Sequence, residues 1–171
     1  MDLNKISSGK NPPSQINVFV EISSGSSVKY ELDKDSGALM VDRFLYTSME
    51  YPFNYGFIPQ THAEDNDPLD VVLISSMPII PGAIVAARPI GLLEMEDEAG
   101  PDSKILAVPI EKVDPQFAAI EDIGDVNDHI KKRIKHFFER YKELEPNKWV
   151  KVKDFLKKDK AEAEIKKSLI A

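Results

Sequence analysis

The sequence INVFVEI at residues 16–22 places an apolar side chain at every second position. This period of two is typical of a half-buried β-strand. A second segment of the same kind, Val28–Leu32, follows after a polar stretch at residues 23–27 that favours a turn. The two segments are therefore predicted to pair as a β-hairpin.

Further short apolar segments continue this pattern through the first two thirds of the chain. Turn-forming residues and prolines separate them, and the prolines exclude long helices from this region. Many short strands followed by helices indicate an α+β fold around a twisted or closed antiparallel sheet. The further predicted strands are residues 38–44, 71–74, 83–93 and 104–110.

The last third of the chain changes to a helical spacing of apolar residues. Ile130, Ile134 and Phe137 belong to the stripe of an amphipathic helix, predicted over about residues 127–145. The same kind of spacing within residues 161–169 predicts a shorter C-terminal helix.

Composition limits the functions that this chain can have. Its 171 residues are 42% hydrophobic and contain no repeat or long linker, so a single domain over residues 1–171 is predicted. The 22 basic and 29 acidic side chains give a net charge of −7, which argues against nucleic acid and anionic lipid as partners. A small anionic substrate stays compatible with this charge, because bound divalent cations can invert the local field.

Cysteine usage and hydropathy indicate the cellular setting. The absence of cysteine removes disulfides, thiolate catalysis and sulfur-based zinc sites. Residues 1–15 are polar and lack the apolar centre of a signal peptide. The most apolar stretch, residues 77–87, is interrupted by proline and glycine and is too short to span a bilayer. A cytoplasmic protein without membrane association is expected.

Acidic residues are concentrated in two stretches, DNDPLD at residues 65–70 and EMEDEAGPD at residues 94–102. Either stretch alone is compatible with a solvated turn. An EF-hand loop is excluded, because Leu69, Asp70 and Ser76 stand where a ligand, the glycine and the last glutamate belong. If the carboxylates converge in the fold, cations or protonation must offset their repulsion, and such hard ligands suit Mg²⁺ or Mn²⁺.

Basic and phenolic residues form a second set of candidates, on or beside the predicted strands and near the end of the main helix. Taken singly, such residues are more often surface lysines, ion pairs or core aromatics. The set comprises Lys29, Arg43, Tyr51, Tyr55, Lys104, Tyr141 and Lys142.

These candidates belong to six segments that occur in a fixed order. The segments are KYE (29–31), VDRF (41–44), YPFNYG (51–56), DNDPLDV (65–71), DEAGPDSK (97–104) and YK (141–142). Together they resemble the soluble family I inorganic pyrophosphatases, and the segment at residues 65–71 closely resembles the signature of that family. The resemblance covers roughly residues 15–150, and the compact chain looks like the bacterial branch.

The resemblance implies a five-stranded, antiparallel, OB-like β-barrel flanked by helices. It implies hydrolysis of diphosphate to two phosphates with several Mg²⁺ ions per active site, for which Mn²⁺ or Zn²⁺ can substitute. It also implies a homohexamer.

Each matching position takes an implied role from the same resemblance. Asp67 corresponds to the proposed general base, and Glu31 and Tyr51 correspond to supporting residues. The implied metal ligands are Asp65, Asp70, Asp97, Asp102 and Glu21. The implied phosphate-binding residues are Lys29, Arg43, Tyr55, Lys104, Tyr141 and Lys142.

The reaction is predicted to be direct attack by a metal-activated water, because no serine, cysteine or histidine pattern marks a nucleophile. Two alternatives stay open. An OB-type barrel can be a binding module for oligonucleotides, although the net charge of −7 counts against it. A non-catalytic relative is the second alternative, and the compatible residue at every matching position counts against that.

Overall fold

A computed structural model describes residues 5–63 and 67–170. The strands are β1 (Ile16–Ile22), β2 (Val28–Leu32), β3 (Leu39–Phe44), β4 (Asn54–Phe57), β5 (Asp70–Leu73), β6 (Ile84–Asp97), β7 (Gly100–Pro101), β8 (Lys104–Pro109) and β9 (Val150–Lys157). The α-helices are α1 (Asp128–Arg140) and α2 (Lys158–Ser168), and short 3₁₀ helices occupy Pro115–Phe117 and Ile123–Asp125.

Five strands pair in a ring. β1 pairs with β4 and β6, β4 pairs with β5, and β8 pairs with both β5 and β6. The predicted α+β fold with a five-stranded, OB-like arrangement and flanking helices is thereby confirmed. One pairing differs from an all-antiparallel ring, because β5 and β8 are parallel. The long strand β6 lies between them in the chain and runs in the opposite direction to β8, so β8 returns in the direction of β5.

The predicted hairpin of β1 and β2 is wrong. β2 pairs with β3 in a separate two-stranded sheet, which we call the ribbon (residues 28–44). The connection between β1 and β2 is instead held by the start of β4 and the loop before it: Gly25 N donates to Tyr51 O at 2.9 Å, and Ser24 N donates to Asn54 Oδ1 at 3.0 Å. These contacts with distant residues direct β2 away from β1.

β1 is buried on both faces, not on one. Phe19 stacks on Phe57 of β4, with ring centroids 5.1 Å apart. Gly56 permits the close approach of these strands, because a Cβ at that position would lie 1.8 Å from Phe19 O. The register of β1 against β4 shifts between Val20 and Ile22, and Glu21 lies at this irregularity.

Helix α1 joins the barrel through an aromatic cluster. The ring of Phe137 lies 4.6 Å from that of Tyr51 and 4.9 Å from that of Tyr141. The helix ends at Arg140, earlier than the predicted boundary near residue 145. The chain beyond it tightens into turns, with Glu145 N donating to Lys142 O at 2.9 Å. The predicted C-terminal helix is present as α2.

Candidate active site

A buried lysine joins two carboxylates at the ends of neighbouring strands. Lys104 is 5% exposed, and its Nζ lies 2.5 Å from Asp70 Oδ2 and 2.6 Å from Asp102 Oδ1. Burial alone would lower the pKa of Lys104, but the two carboxylates outweigh it and raise that pKa above its ordinary value. The lysine therefore carries its charge and offsets the repulsion between Asp70 and Asp102.

Tyr55 of β4 completes this group. The Lys104 Nζ lies 5.8 Å from the centroid of the Tyr55 ring. Burial, together with the charges of Asp70 and Asp102, raises the pKa of Tyr55 well above its ordinary value. Burial also raises the pKa of Tyr51 and Tyr141. All three phenols therefore stay protonated and can act as hydrogen-bond donors.

Glu21 connects the ribbon to the barrel. Its Oε1 accepts a hydrogen bond from Leu32 N, at the end of β2, at 2.8 Å. Burial raises the pKa of Glu21 to about 7; the Leu32 hydrogen bond opposes the shift and the nearby Asp70 adds to it. Near neutral pH this carboxyl is therefore divided between its two protonation states.

The ribbon carries two basic side chains that are each paired with acids. Lys29 contacts Glu31, and its Nζ lies 3.3 Å from Asp42 Oδ2. Arg43 contacts Asp42, and its Nε lies 3.1 Å from Oε1 of Glu145. Burial alone would lower the pKa of Arg43, but Glu145 and Asp42 raise it. Asp42 therefore links Lys29 to Arg43.

The end of β6 is tied to the turn that follows α1. Lys142 Nζ lies 3.0 Å from Asp97 Oδ2, and both side chains are largely buried. The next acid along, Glu98, contacts Lys148. Two consecutive acids thus pair with two lysines of the segment between α1 and β9 and fix its position against β6.

Asp67 lies in a different environment. Its side chain is 68% exposed, and its Oδ1 lies 2.5 Å from Nζ of Lys34 in the turn of the ribbon. Asp67 lines a cavity of about 830 Å³ together with Glu21, Lys29, Glu31, Tyr55 and Asp70. The cavity lies between the ribbon and the loop that precedes β5, so it is accessible to a small ligand.

The predicted residues are only partly brought together. Asp70, Asp102, Lys104 and Tyr55 form one group, and Lys29 and Arg43 meet through Asp42. Within residues 5–63 and 67–170, no three acidic or histidine side chains lie close enough to hold a metal ion. Asp65, predicted as a ligand, lies outside the described residues.

Four paired residues were not predicted from the sequence: Asp42, Lys34, Lys148 and Glu145. Asp42 carries a sequence signal, since it adjoins Arg43. The other three pair across long separations, such as the 33 residues from Lys34 to Asp67, and no local pattern marks them.

Within the described part of the chain, neither α1 nor α2 is long and apolar enough to cross a membrane.

Comparisons with known proteins agree on one family. The sequence profile "Pyrophosphatase: Inorganic pyrophosphatase" matches residues 18–170. The inorganic pyrophosphatase of Aquifex pyrophilus is 57% identical over 161 residues, which cover 94% of this chain and 91% of that protein. The inorganic pyrophosphatase of Gluconobacter oxydans is 58% identical over 163 residues, covering 95% of this chain and 93% of that protein.

Solved structures give the same result. The inorganic pyrophosphatase of Coxiella burnetii aligns with a TM-score of 0.92 at 49% identity and covers 96% of this chain and 98% of that chain. That of Helicobacter pylori aligns with a TM-score of 0.93 at 48% identity and covers 96% of each. This chain belongs to the inorganic pyrophosphatase family.

Proposed function

We propose that this protein hydrolyses inorganic diphosphate to two phosphates with Mg²⁺ as its cofactor. Besides the family, one observation supports it most directly: the buried Lys104 ammonium lies between Asp70 and Asp102, beside the Tyr55 phenol. Such a group offers oxygen ligands for cations and a fixed positive charge for phosphate at the same place.

The proposed phosphate-binding cations are all paired with carboxylates. The pairs are Lys104 with Asp70 and Asp102, Lys142 with Asp97, Lys29 with Asp42, and Arg43 with Glu145. Divalent cations can replace the basic groups at the carboxylates, and phosphate can replace the carboxylates at the basic groups. This double exchange leaves no buried charge unpaired, so the arrangement favours a substrate that binds together with divalent cations.

The chemistry of the donors fits a hard divalent cation. Carboxylates without sulfur or histidine are the ligands that Mg²⁺ prefers, and Mn²⁺ or Zn²⁺ can substitute. The residues that would hold the cations are Asp70, Asp97, Asp102, Glu21 and, from its place in the sequence, Asp65. When bound, the cations supply positive charge to the phosphoryl oxygens and make a coordinated water more acidic.

The remaining residues orient the substrate and move one proton. Lys29, Arg43, Lys104 and Lys142 contribute positive charge, and the phenols Tyr55 and Tyr141 can donate hydrogen bonds to phosphate oxygens. Asp67, exposed at the cavity, is proposed to accept a proton from the attacking water. Glu31 and Tyr51 are proposed to support Lys29 and the aromatic cluster.

The proposal includes a cytoplasmic homohexamer built of single-domain chains. Exposed apolar side chains support association of copies, because a soluble monomer rarely exposes a large apolar patch. They lie on β3 and in the loop before β6, and include Met40, Val41, Phe44, Met77 and Ile80. Sedimentation velocity measures the assembly, and a monomer at micromolar concentration would contradict this part.

The activity is tested by phosphate release from diphosphate, with Mg²⁺ and with excess EDTA, beside ATP as a control substrate. We expect fast release that requires Mg²⁺ and spares ATP. A folded protein that releases no phosphate with Mg²⁺, Mn²⁺ or Zn²⁺ would contradict the proposal and favour a non-catalytic relative.

A further inference from the structure

Glu145 lies in the turn after α1 and is neither a proposed metal ligand nor a proposed phosphate-binding residue. Its side chain is 9% exposed, and its Oε1 lies 3.1 Å from Arg43 Nε. The pair joins this turn to β3 of the ribbon, more than a hundred residues earlier in the chain. A carboxylate so far removed from water requires a physical reason.

Stability alone does not supply that reason. Within the described residues, Arg43 Nε and Glu145 Oε2 are buried polar atoms that lack a hydrogen bond. Ion pairs that are buried and incompletely hydrogen-bonded contribute little to folding, and apolar side chains of similar size often stabilise as well or better. The pair is therefore better explained by what it does to the position of Arg43.

Two carboxylates hold the Arg43 guanidinium on different edges. Asp42, on the same strand, contacts Nη1, and Glu145, in the turn after α1, lies beside Nε. A guanidinium group is a rigid planar fork, so contacts on two edges fix the direction of the whole plane. Because the turn of Glu145 also carries Tyr141 and Lys142, the pair sets Arg43 at a fixed place relative to both.

We propose that Glu145 is a positioning residue that orients the Arg43 guanidinium toward diphosphate. This inference rests on the proposed function and adds to it a residue that does not itself touch the substrate.

The test compares Glu145→Ala and Glu145→Gln with the matched control Glu143→Ala. Glu143 lies on the same turn, but it is exposed and pairs with Arg140 at 3.2 Å, away from Arg43. We expect Glu145→Ala to raise the KM for diphosphate by about tenfold, as for one misplaced charge-assisted hydrogen bond, with a much smaller change in kcat. The inhibition constant of inorganic phosphate should rise in parallel.

Glu145→Gln keeps the size of the side chain and an oxygen beside Arg43 Nε, so it should reverse most of the rise in KM that Glu145→Ala causes. If Glu145 acted only through its charge, Gln and Ala would behave alike, and both would lower KM by removing repulsion of the anion. If Glu145 were only structural, the melting temperature would fall while KM and the phosphate inhibition constant stayed at their wild-type values. Either result would overturn the inference.

Arg43→Lys provides a second test, because lysine has no planar fork to orient. In that background, Glu145→Ala should cause no further rise in KM, and a full additional tenfold rise would contradict the coupling. The activity of wild-type protein distinguishes the two proposals: if it does not hydrolyse diphosphate, the proposed function fails. If wild type is active and Glu145→Ala matches Glu143→Ala, the positioning role alone fails.

Discussion

Lys104 Nζ lies 2.5 Å from Asp70 Oδ2, because each residue begins one of two parallel neighbouring strands. The register that pairs Val71 with Ile105 places the two residues side by side. The backbone of the ring thereby fixes the spacing of an acid and a base, independently of the exposed side chains at the rim of the cavity.

Lys104→Met should destabilise the protein most strongly in the absence of divalent cations. It leaves Asp70 and Asp102 to repel each other, at a cost of about 1–3 kcal/mol in the free energy of unfolding. Added Mg²⁺ should recover part of this loss by taking over the charge of the ammonium. Calorimetry with EDTA and with Mg²⁺ measures the difference, and Lys153→Met, which breaks the surface pair with Glu96, is the control. Equal losses with and without Mg²⁺ would reject cation binding by these carboxylates.

Asp67→Asn should lower kcat by about two to four orders of magnitude, as expected for loss of a general base. Because the Asp67 side chain is exposed, the melting temperature and the Mg²⁺ requirement should change little. Steady-state kinetics checks this against Asp35→Asn, which removes an exposed acid from the same cavity. A loss of kcat similar to that of Asp35→Asn would count against the role.

Asp70→Asn should raise the Mg²⁺ concentration needed for half-maximal activity, because one oxygen ligand loses its charge. The measurement is a Mg²⁺ titration of phosphate release at saturating diphosphate. Glu96→Gln, which removes an acid that pairs with Lys153 outside this group, is the control. A Mg²⁺ titration that superimposes on wild type would reject Asp70 as a ligand.

Glu21 should make the metal-free protein less stable as pH rises toward neutrality. Its pKa is raised in the folded state from 4.5 to about 7, so its contribution is fully present below pH 4.5 and is lost as pH rises through 7. Glu21→Gln, which keeps an acceptor for Leu32 N, should therefore be more stable than wild type above pH 7, by up to about 3 kcal/mol. Urea unfolding in EDTA at pH 4.5, 6 and 8 measures this, and curves that differ by a constant amount would contradict it.

The local elements of the fold can be predicted from the sequence. The alternation in β1 and the apolar spacing in α1 predict both elements, since each depends on neighbouring residues only. Strand β4 was not predicted because it has only four residues and two of them, Asn54 and Gly56, are of types that are uncommon in strands. Strand β9 follows a helix and turns, and its pairing with β6 depends on residues more than fifty positions away.

The candidate site, too, is predictable from the sequence only in part. Resemblance to a family assigns candidate residues by position, including Asp70 and Lys104. It gives no ion pairs, because the contact between Glu145 and Arg43 depends on where a turn and a ribbon meet in space. The irregularity at Glu21 and its burial likewise follow from the packing of β1 against β4, which no single segment encodes.

Strand β6 has 14 residues, and Gly91, Leu92 and Leu93 at its centre pair with β8 on one edge and β9 on the other. These backbone amides cannot meet solvent through fraying of an end, since both neighbouring strands would have to separate first. Their exchange with deuterium should therefore report cooperative unfolding of the whole ring. The strand that ends at Asp97 would thus keep its shape for as long as the protein is folded at all.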